Sequence, residues 1–218
     1  MSKKKGLDSY QEKRDFRKSP EPRGNKGKSR SGRPVFVIHK HDASNLHYDL
    51  RLEVDGALKS WAVAKGPSTD PRKKRLAILT EDHPLDYSDF EGVIPEGQYG
   101  AGTVLIWDAG TYTNLRGHEE TKDRDGEEPD NGPSEPVSMK QSLEEGKVEV
   151  RLEGEKLKGG YALVRMHKGK KERWLLIKMD DDEADARRKP TKTEPESVAS
   201  GRTLEEIAAE AEEEGGSS

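Results

Sequence analysis

The sequence predicts a mainly β protein: a compact antiparallel β-barrel with short flanking helices, a flexible basic N-terminal arm and an acidic C-terminal tail. Eight or so short runs rich in β-branched and aromatic residues are separated by Gly-rich turns, with almost no helical periodicity between them, which disfavours a parallel α/β fold. Closing such strands into a barrel or sandwich removes their exposed edges. Composition points the same way. The 218 residues are 38% charged and only 29% hydrophobic on average, yet residues 35–115 and 147–179 hold 48 hydrophobic residues in 114. That is an ordinary core density, so one small packed domain carries long solvated segments.

The elements follow in chain order. Residues 1–34 carry 12 Lys and Arg against 4 Asp and Glu; they read as a basic arm in which Tyr10 to Lys18, with Tyr10 and Phe16 among charges, docks on the domain. The domain spans 35–180. Val35 to Ile38 is an apolar run. Tyr48, Leu50, Leu52 and Val54 then alternate with Asp49, Arg51 and Glu53, and Asp55-Gly56 leads into Leu58 to Ala64, the signature of a hairpin. Arg75 to Thr80, Thr103 to Trp107, Tyr112 to Leu115, Lys147 to Leu152, Tyr161 to Met166 and Trp174 to Met179 read as further strands. Trp61, Trp107 and Trp174 lie in strand runs and are expected in the core. The Gly-rich segment GVIPEGQYGAG (92–102) matches neither common nucleotide-binding glycine pattern and reads as a hairpin with bulges. Residues 116–136 form a polar, acidic insertion. Val137 to Glu145 is the one internal helix, introduced by Pro136 and stopped by Gly146. Residues 181–218 are an acidic tail expected to be disordered, with a frayed helix over Thr203 to Glu213 too poor in apolar positions to pack firmly. A chain cut to 1–182 is expected to keep its chemistry.

Several chemistries are excluded. With no cysteine there are no disulfides, thiolate metal sites or Cys nucleophiles, and any metal must be held by His and carboxylates. No apolar stretch approaches the roughly 20 residues of a membrane span, and the Met-Ser-Lys-Lys-Lys start lacks the apolar region of a secretion signal; the expectation is a cytoplasmic protein without membrane contact. A Lys-x-Asp-Gly run is missing, so covalent nucleotidyl transfer is unsupported. The net charge of −4 is no argument against a DNA substrate, because the first 34 residues sum to about +8 and residues 180–218 to about −8, cancelling only on paper.

Three of six histidines, His39, His41 and His47, fall within nine residues. On a strand His47, Asp49, Arg51 and Glu53 share one face, which needs solvent or a polar cavity. His41 precedes a segment short enough to fold back toward His47 and Asp49. Two imidazoles and a carboxylate suit a borderline divalent ion such as Mn²⁺ or Zn²⁺, and Arg51 supplies a planar fork for a phosphate oxygen. Spacing alone leaves open the plainer reading of a solvated face with cross-strand pairs. His83, in Glu81-Asp82-His83-Pro84 with Tyr87 beyond, is either a turn residue or a phosphate ligand or general acid. Lys65 and Arg75 bracket a basic loop containing Arg72, Lys73 and Lys74.

Five segments in order, YQEKRDFRKSPEP, FVIHKHDASNLHYDLRLE, LKSWAVAKGPS, EDHPLDYSDFEGVIPEGQYGAGTVLIWDAGTY and GYALVRMHKGKKERWLLIKM, resemble the 3′-phosphoesterase module of bacterial DNA ligase D and its stand-alone relatives, over roughly residues 8–180. The resemblance implies a Mn²⁺-dependent enzyme, other divalent transition metals being possible, that heals DNA 3′ ends. Such enzymes remove a 3′-terminal ribonucleoside by a phosphodiesterase step and then the 3′-phosphate, leaving 3′-OH. It implies metal ligands at His41, His47 and Asp49; catalytic groups at Arg51, His83 and Tyr87; and phosphate- or substrate-binding roles for Arg14, Asp15, Glu21, Lys65, Arg75 and Glu81. His39 stands where a Gln is common in the family, which would set a third imidazole near the metal. The implied partners are primer-template 3′ ends and a separate ligase and polymerase, served by a stand-alone monomer that is nucleoid-associated when bound to DNA. Two rival readings are a 2-His-1-carboxylate metal oxygenase, in which His-x-Asp usually precedes a distant second His, and a non-catalytic nucleic-acid-binding barrel, which interleaved aromatics on the polar strand face would favour.

Overall fold

The computed structural model describes residues 7–24, 32–117, 136–169 and 171–215. Nine antiparallel strands run β1 (Val35–Asp42), β2 (Leu46–Val54), β3 (Ala57–Val63), β4 (Lys74–Leu79), β5 (Gly92–Ile94), β6 (Gly102–Asn114), β7 (Lys147–Gly154), β8 (Lys158–His167) and β9 (Arg173–Lys178). Eight of them close a barrel in the order β1-β2-β3-β4-β9-β8-β7-β6 and back to β1, while β5 adds to β6. Eight strands leave an interior that side chains can fill, and Phe36, Ile38, Leu50, Leu52, Trp61, Trp107, Tyr161 and Trp174 are among those that fill it. The β2–β3 hairpin turns on Asp55 and Gly56, both at positive φ (51° and 77°), the geometry that matches strand twist. Counting back from that turn sets Arg51 opposite Ser60 and Asp49 opposite Ala62.

The two strands read at 103–107 and 112–115 are one, β6. A bulge at Ile38/His39 shifts its register on β1, and the turn-like Asp108-Ala109-Gly110 continues the strand because buried Asp108 accepts backbone N–H groups from Ala109, Glu155, Lys156 and Leu157. Gly110 is needed here: a Cβ would sit 2.1 Å from the Glu153 carbonyl oxygen. The segment 92–102 does form the expected hairpin, β5 pairing with the start of β6. The internal helix is α2 (Met139–Glu145), two residues shorter than expected because Ser138, not Pro136, caps it. Ser138 and Gln141 form a capping box, and Gly146 ends the helix in the left-handed conformation. The polar insertion lies outside the described residues except at its ends, as do residues 1–6 and 25–31 of the arm.

Two terminal segments lie on the barrel. The short helix α1 (Asp8–Glu12) buries Tyr10. The acidic tail departs from the disorder expected of it. Trp107 Nε1 donates to the Glu194 carbonyl at 2.7 Å and Tyr48 Oη to that of Thr191 at 3.2 Å, the latter within α3 (Pro190–Thr193). Then α4 (Leu204–Gly215) inserts Leu204 and Ile207 into the main core. Two well-placed apolar residues anchor a helix that composition alone would leave frayed. Each contributes about 2 kcal/mol of burial, partly offset by the entropy of ordering the segment. Truncation after residue 182 should therefore lower the thermal midpoint by roughly 5 °C; an unchanged melting curve would show that the segment adds nothing to the fold. No helix among the described residues is long and apolar enough to cross a membrane.

Candidate active site

Apolar Tyr48, Leu50 and Leu52 point into the barrel, so the polar row of β2 stands on its outer wall. That wall is covered rather than solvated. Tyr10, Leu85, Tyr87, Phe90, Ile94, Val104 and Ile106 form a second apolar cluster over it. Between cover and wall lies a cleft of about 290 Å³ lined by Arg14, His41, His47, Asp49, Arg51, Glu81, His83, Tyr87 and Tyr99, with Ala43, Ala62, Thr80, Ile94 and Gly100. A larger hollow of about 400 Å³ beside Lys156, Glu194 and Ser197 gathers no comparable group, since Lys156 Nζ is spent on the Glu194 and Glu196 carbonyls.

The β1–β2 register sets His41 directly opposite His47 and His39 opposite Asp49. Donor atoms of His41, His47 and Asp49 lie within 4.8 Å of one another. His41 Nε2 faces the Gly100 carbonyl at 2.9 Å, and His47 Nδ1 faces that of Asn45 at 2.8 Å. A carbonyl oxygen only accepts, so those nitrogens carry the ring hydrogens. The lone pairs of His41 Nδ1 and His47 Nε2 are thereby turned to Asp49, 3.9 and 3.6 Å from its oxygens. Burial works to raise the Asp49 pKa, but the Arg51 guanidinium outweighs it and holds the carboxyl well below its usual range. Two bare imidazole nitrogens and an ionised carboxylate, each imidazole held by a backbone carbonyl, are a donor set that fits a divalent cation.

Arg51 is the hub of the wall. Its Nη2 donates to Asp49 at 3.0 Å, its Nε to His39 Nδ1 at 3.2 Å and its Nη1 to Ser60 Oγ at 2.8 Å, with His83 Nδ1 also 2.8 Å from Nη1. His83 Nδ1 lies between this guanidinium nitrogen and the Glu81 carbonyl oxygen, the latter 3.0 Å away. Burial first, then Arg51 and Arg14, push the His83 pKa well below its ordinary value, and the ring is neutral. Its Nε2 faces Arg14 Nη2 at 3.3 Å, so ring and guanidinium meet at the cleft, where the Arg14 charge suits an anionic oxygen. Tyr87, almost fully buried, lies under the Arg51 guanidinium, 4.8 Å from its carbon to the ring centroid, and burial raises its pKa so that the phenol stays protonated.

The docked arm completes the cleft. Arg14 Nε donates to Glu21 at 2.8 Å and Nη1 to Glu81 at 3.3 Å; Ser19 holds the other Glu21 oxygen. Other expected site residues stand apart. Asp15 pairs with Arg17 at 2.9 and 3.0 Å on the surface of the arm. Lys65 is exposed in the turn after β3. Arg75 alternates with Lys74 and Leu76 and so shares the inward side of β4 with Ala77, its Nε buried without a partner. His39 is fully buried beneath the cleft, neutral through burial and the charge of Arg51, and positions Arg51 instead of reaching the metal group. Sequence reasoning missed Ser60, legible by counting hairpin register back from Asp55-Gly56, and also Tyr99 and the Gly100 carbonyl, for which no local signal exists; the docking expected of Tyr10 does occur.

A family model described as the DNA ligase D 3′-phosphoesterase domain matches residues 39–165. A multifunctional non-homologous end joining protein LigD of Pseudomonas aeruginosa is 48% identical over 208 residues, 94% of this chain and 22% of that protein. Its namesake from Mycolicibacterium smegmatis is 43% identical over 175 residues, 80% of this chain and 21% of that protein. A multifunctional non-homologous end joining DNA repair protein LigD of Mycobacterium tuberculosis is 39% identical over 173 residues, 79% of this chain and 20% of that protein. The chain thus spans about a fifth of the length of these relatives.

Proposed function

The chain belongs to the DNA ligase D 3′-phosphoesterase domain family, and we propose that it is a Mn²⁺-dependent hydrolase that heals DNA 3′ ends. On this reading it removes a 3′-terminal ribonucleoside by a phosphodiesterase step and then the 3′-phosphate, leaving a 3′-OH for a ligase or polymerase. The observation that supports it best is the meeting, in one cleft, of a His41–His47–Asp49 donor set with the Arg51, His83 and Arg14 side chains.

Each residue then has a task. His41 Nδ1, His47 Nε2 and Asp49 would hold the cation, which supplies Lewis-acid polarisation of a phosphoryl oxygen when bound. Arg51 brings fixed positive charge against the charge that develops at phosphorus, and its four contacts prevent it from swinging away. Arg14 Nη2 donates to a second phosphoryl oxygen, with the His83 ring beside it, its Nε2 3.3 Å away. Glu81, bound by Lys13 at 2.9 Å and by Arg14, and Glu21 orient the arm so that Arg14 faces the phosphate. Tyr87 packs its ring beneath Arg51 and excludes water from that side.

The test is a labelled primer-template ending in one ribonucleotide, incubated in parallel with Mn²⁺, Mg²⁺ and Zn²⁺, with the 3′ terminus identified over time. The expected course is loss of the ribonucleoside, passage through a 3′-phosphate and accumulation of 3′-OH, fastest in Mn²⁺. Failure of every metal to alter either a 3′-ribonucleotide or a 3′-phosphate terminus would overturn the reading.

A further inference from the structure

Four large apolar side chains are conspicuously exposed among the described residues, and Tyr99 is the one that lines the cleft. It sits in the β5–β6 connection, where turns closed by Gln98 N to the Pro95 carbonyl and Ala101 N to the Gln98 carbonyl fix the backbone. The very next residue, Gly100, supplies the carbonyl that orients His41. Tyr99 is therefore tied by one peptide unit to the metal-ligand group and cannot drift from it. The arm grips the same ring. Lys13 Nζ lies 4.4 Å from its centroid and 3.2 Å from its hydroxyl, and the Arg14 guanidinium 5.5 Å from the centroid. Even so, 48% of Tyr99 remains exposed.

A ring held rigidly by cations yet left half open, beside a phosphate-binding cleft, is a platform for a flat partner. From this geometry we infer that Tyr99 stacks on the nucleobase next to the reacting phosphate, making it a substrate-positioning residue that reads a base without reading its identity. The inference rests on the end-healing function proposed above and adds to it a base subsite. Every nucleobase offers a π-face, so such stacking is tolerant of sequence, as suits an enzyme that must accept any broken end. The neighbouring cations strengthen the subsite, because they attract the phosphate backbone that the stacked nucleotide brings with it.

The experiment compares the full chain with Tyr99→Ala, Tyr99→Phe and Tyr99→Trp on a Mn²⁺-supported 3′-phosphate primer-template whose last nucleotide is either intact or abasic. On the intact end Tyr99→Ala should raise KM about tenfold or more with kcat little changed, while Tyr99→Phe and Tyr99→Trp stay within about twofold of the parent in this KM readout. On the abasic end all four proteins should have the same raised KM, since there is no base to stack. A Tyr99→Ala effect of equal size on both ends, or a Tyr99→Phe variant as impaired as Tyr99→Ala, would overturn the inference in favour of a role for the backbone turn or the hydroxyl. Inactivity of the parent on both ends would instead count against the phosphoesterase reading itself.

Discussion

Asp49→Ala is expected to abolish release of phosphate from a 3′-phosphorylated primer while leaving a folded barrel. The carboxylate is the one anionic member of the His41–His47–Asp49 group, and its pKa, held down chiefly by Arg51 against the effect of burial, keeps it ionised across the working pH range. Removing it leaves the two imidazoles without an anionic ligand beside the buried Arg51 charge, an arrangement that repels a cation. The rate should fall by well over 100-fold, which exceeds the cost of losing even an outer partner of a metal. The fold also loses the buried partner of Arg51, a cost of about 3–5 kcal/mol, but the interior cluster that holds the barrel is untouched. Asp49→Asn separates charge from shape: its amide oxygen still accepts from Arg51, yet activity should remain lost. The measurements are Mn²⁺ binding by calorimetry, phosphate release and near-ultraviolet circular dichroism. Parent-level activity of purified Asp49→Ala would refute the metal assignment.

Arg51→Ala is expected to remove both esterase steps and also to destabilise the protein. Loss of a fixed positive donor at a reacting centre costs on the order of 10²–10³ in rate, and both proposed steps would pass through negative charge at phosphorus. The structural cost comes from the partners left behind: Asp49 loses a buried ion pair at 3.0 Å, His39 and Ser60 each lose a donor, and His83 loses its contact with Nη1. Breaking a buried pair by removing one member costs about 3–5 kcal/mol. Arg51→Lys should rescue neither property, because one ammonium on a flexible stem cannot reach the Nε, Nη1 and Nη2 partners at once. A Lys variant with near-parent activity would mean that only charge matters at this position, and urea melts of both variants would report the stability term.

The residues that make the site differ in how visible they are along the chain. His47, Asp49 and Arg51 are legible because strand alternation puts them on one face whatever the rest of the fold does. His41 is nearly as legible, since a short loop between antiparallel strands brings it opposite His47. Asp15, Lys65 and Arg75 carry the right chemistry at plausible positions, yet the structure sets them respectively against Arg17, in an exposed turn and on the inward side of β4. Side-chain type alone could not separate them from Arg14 and Glu81, which line or support the cleft. The same limit explains the tail. Its composition is that of a solvated segment, and only the places of Leu204 and Ile207 against the core reveal that it is held.

By itself the sequence determined the strand pattern, the barrel class and the row of His47, Asp49 and Arg51 on one strand face, because alternation and turn chemistry act over a few residues and leave a local trace. Tertiary structure alone decided that this row faces outward, that the basic arm and the 85–101 segment roof it into a cleft, and that Arg51 is locked by His39, Ser60 and His83. Those contacts join residues as far apart as Arg14 and His83, 69 positions along the chain. Their pairing is set by the closure of the barrel and the burial of Tyr10, events that no short window of sequence contains.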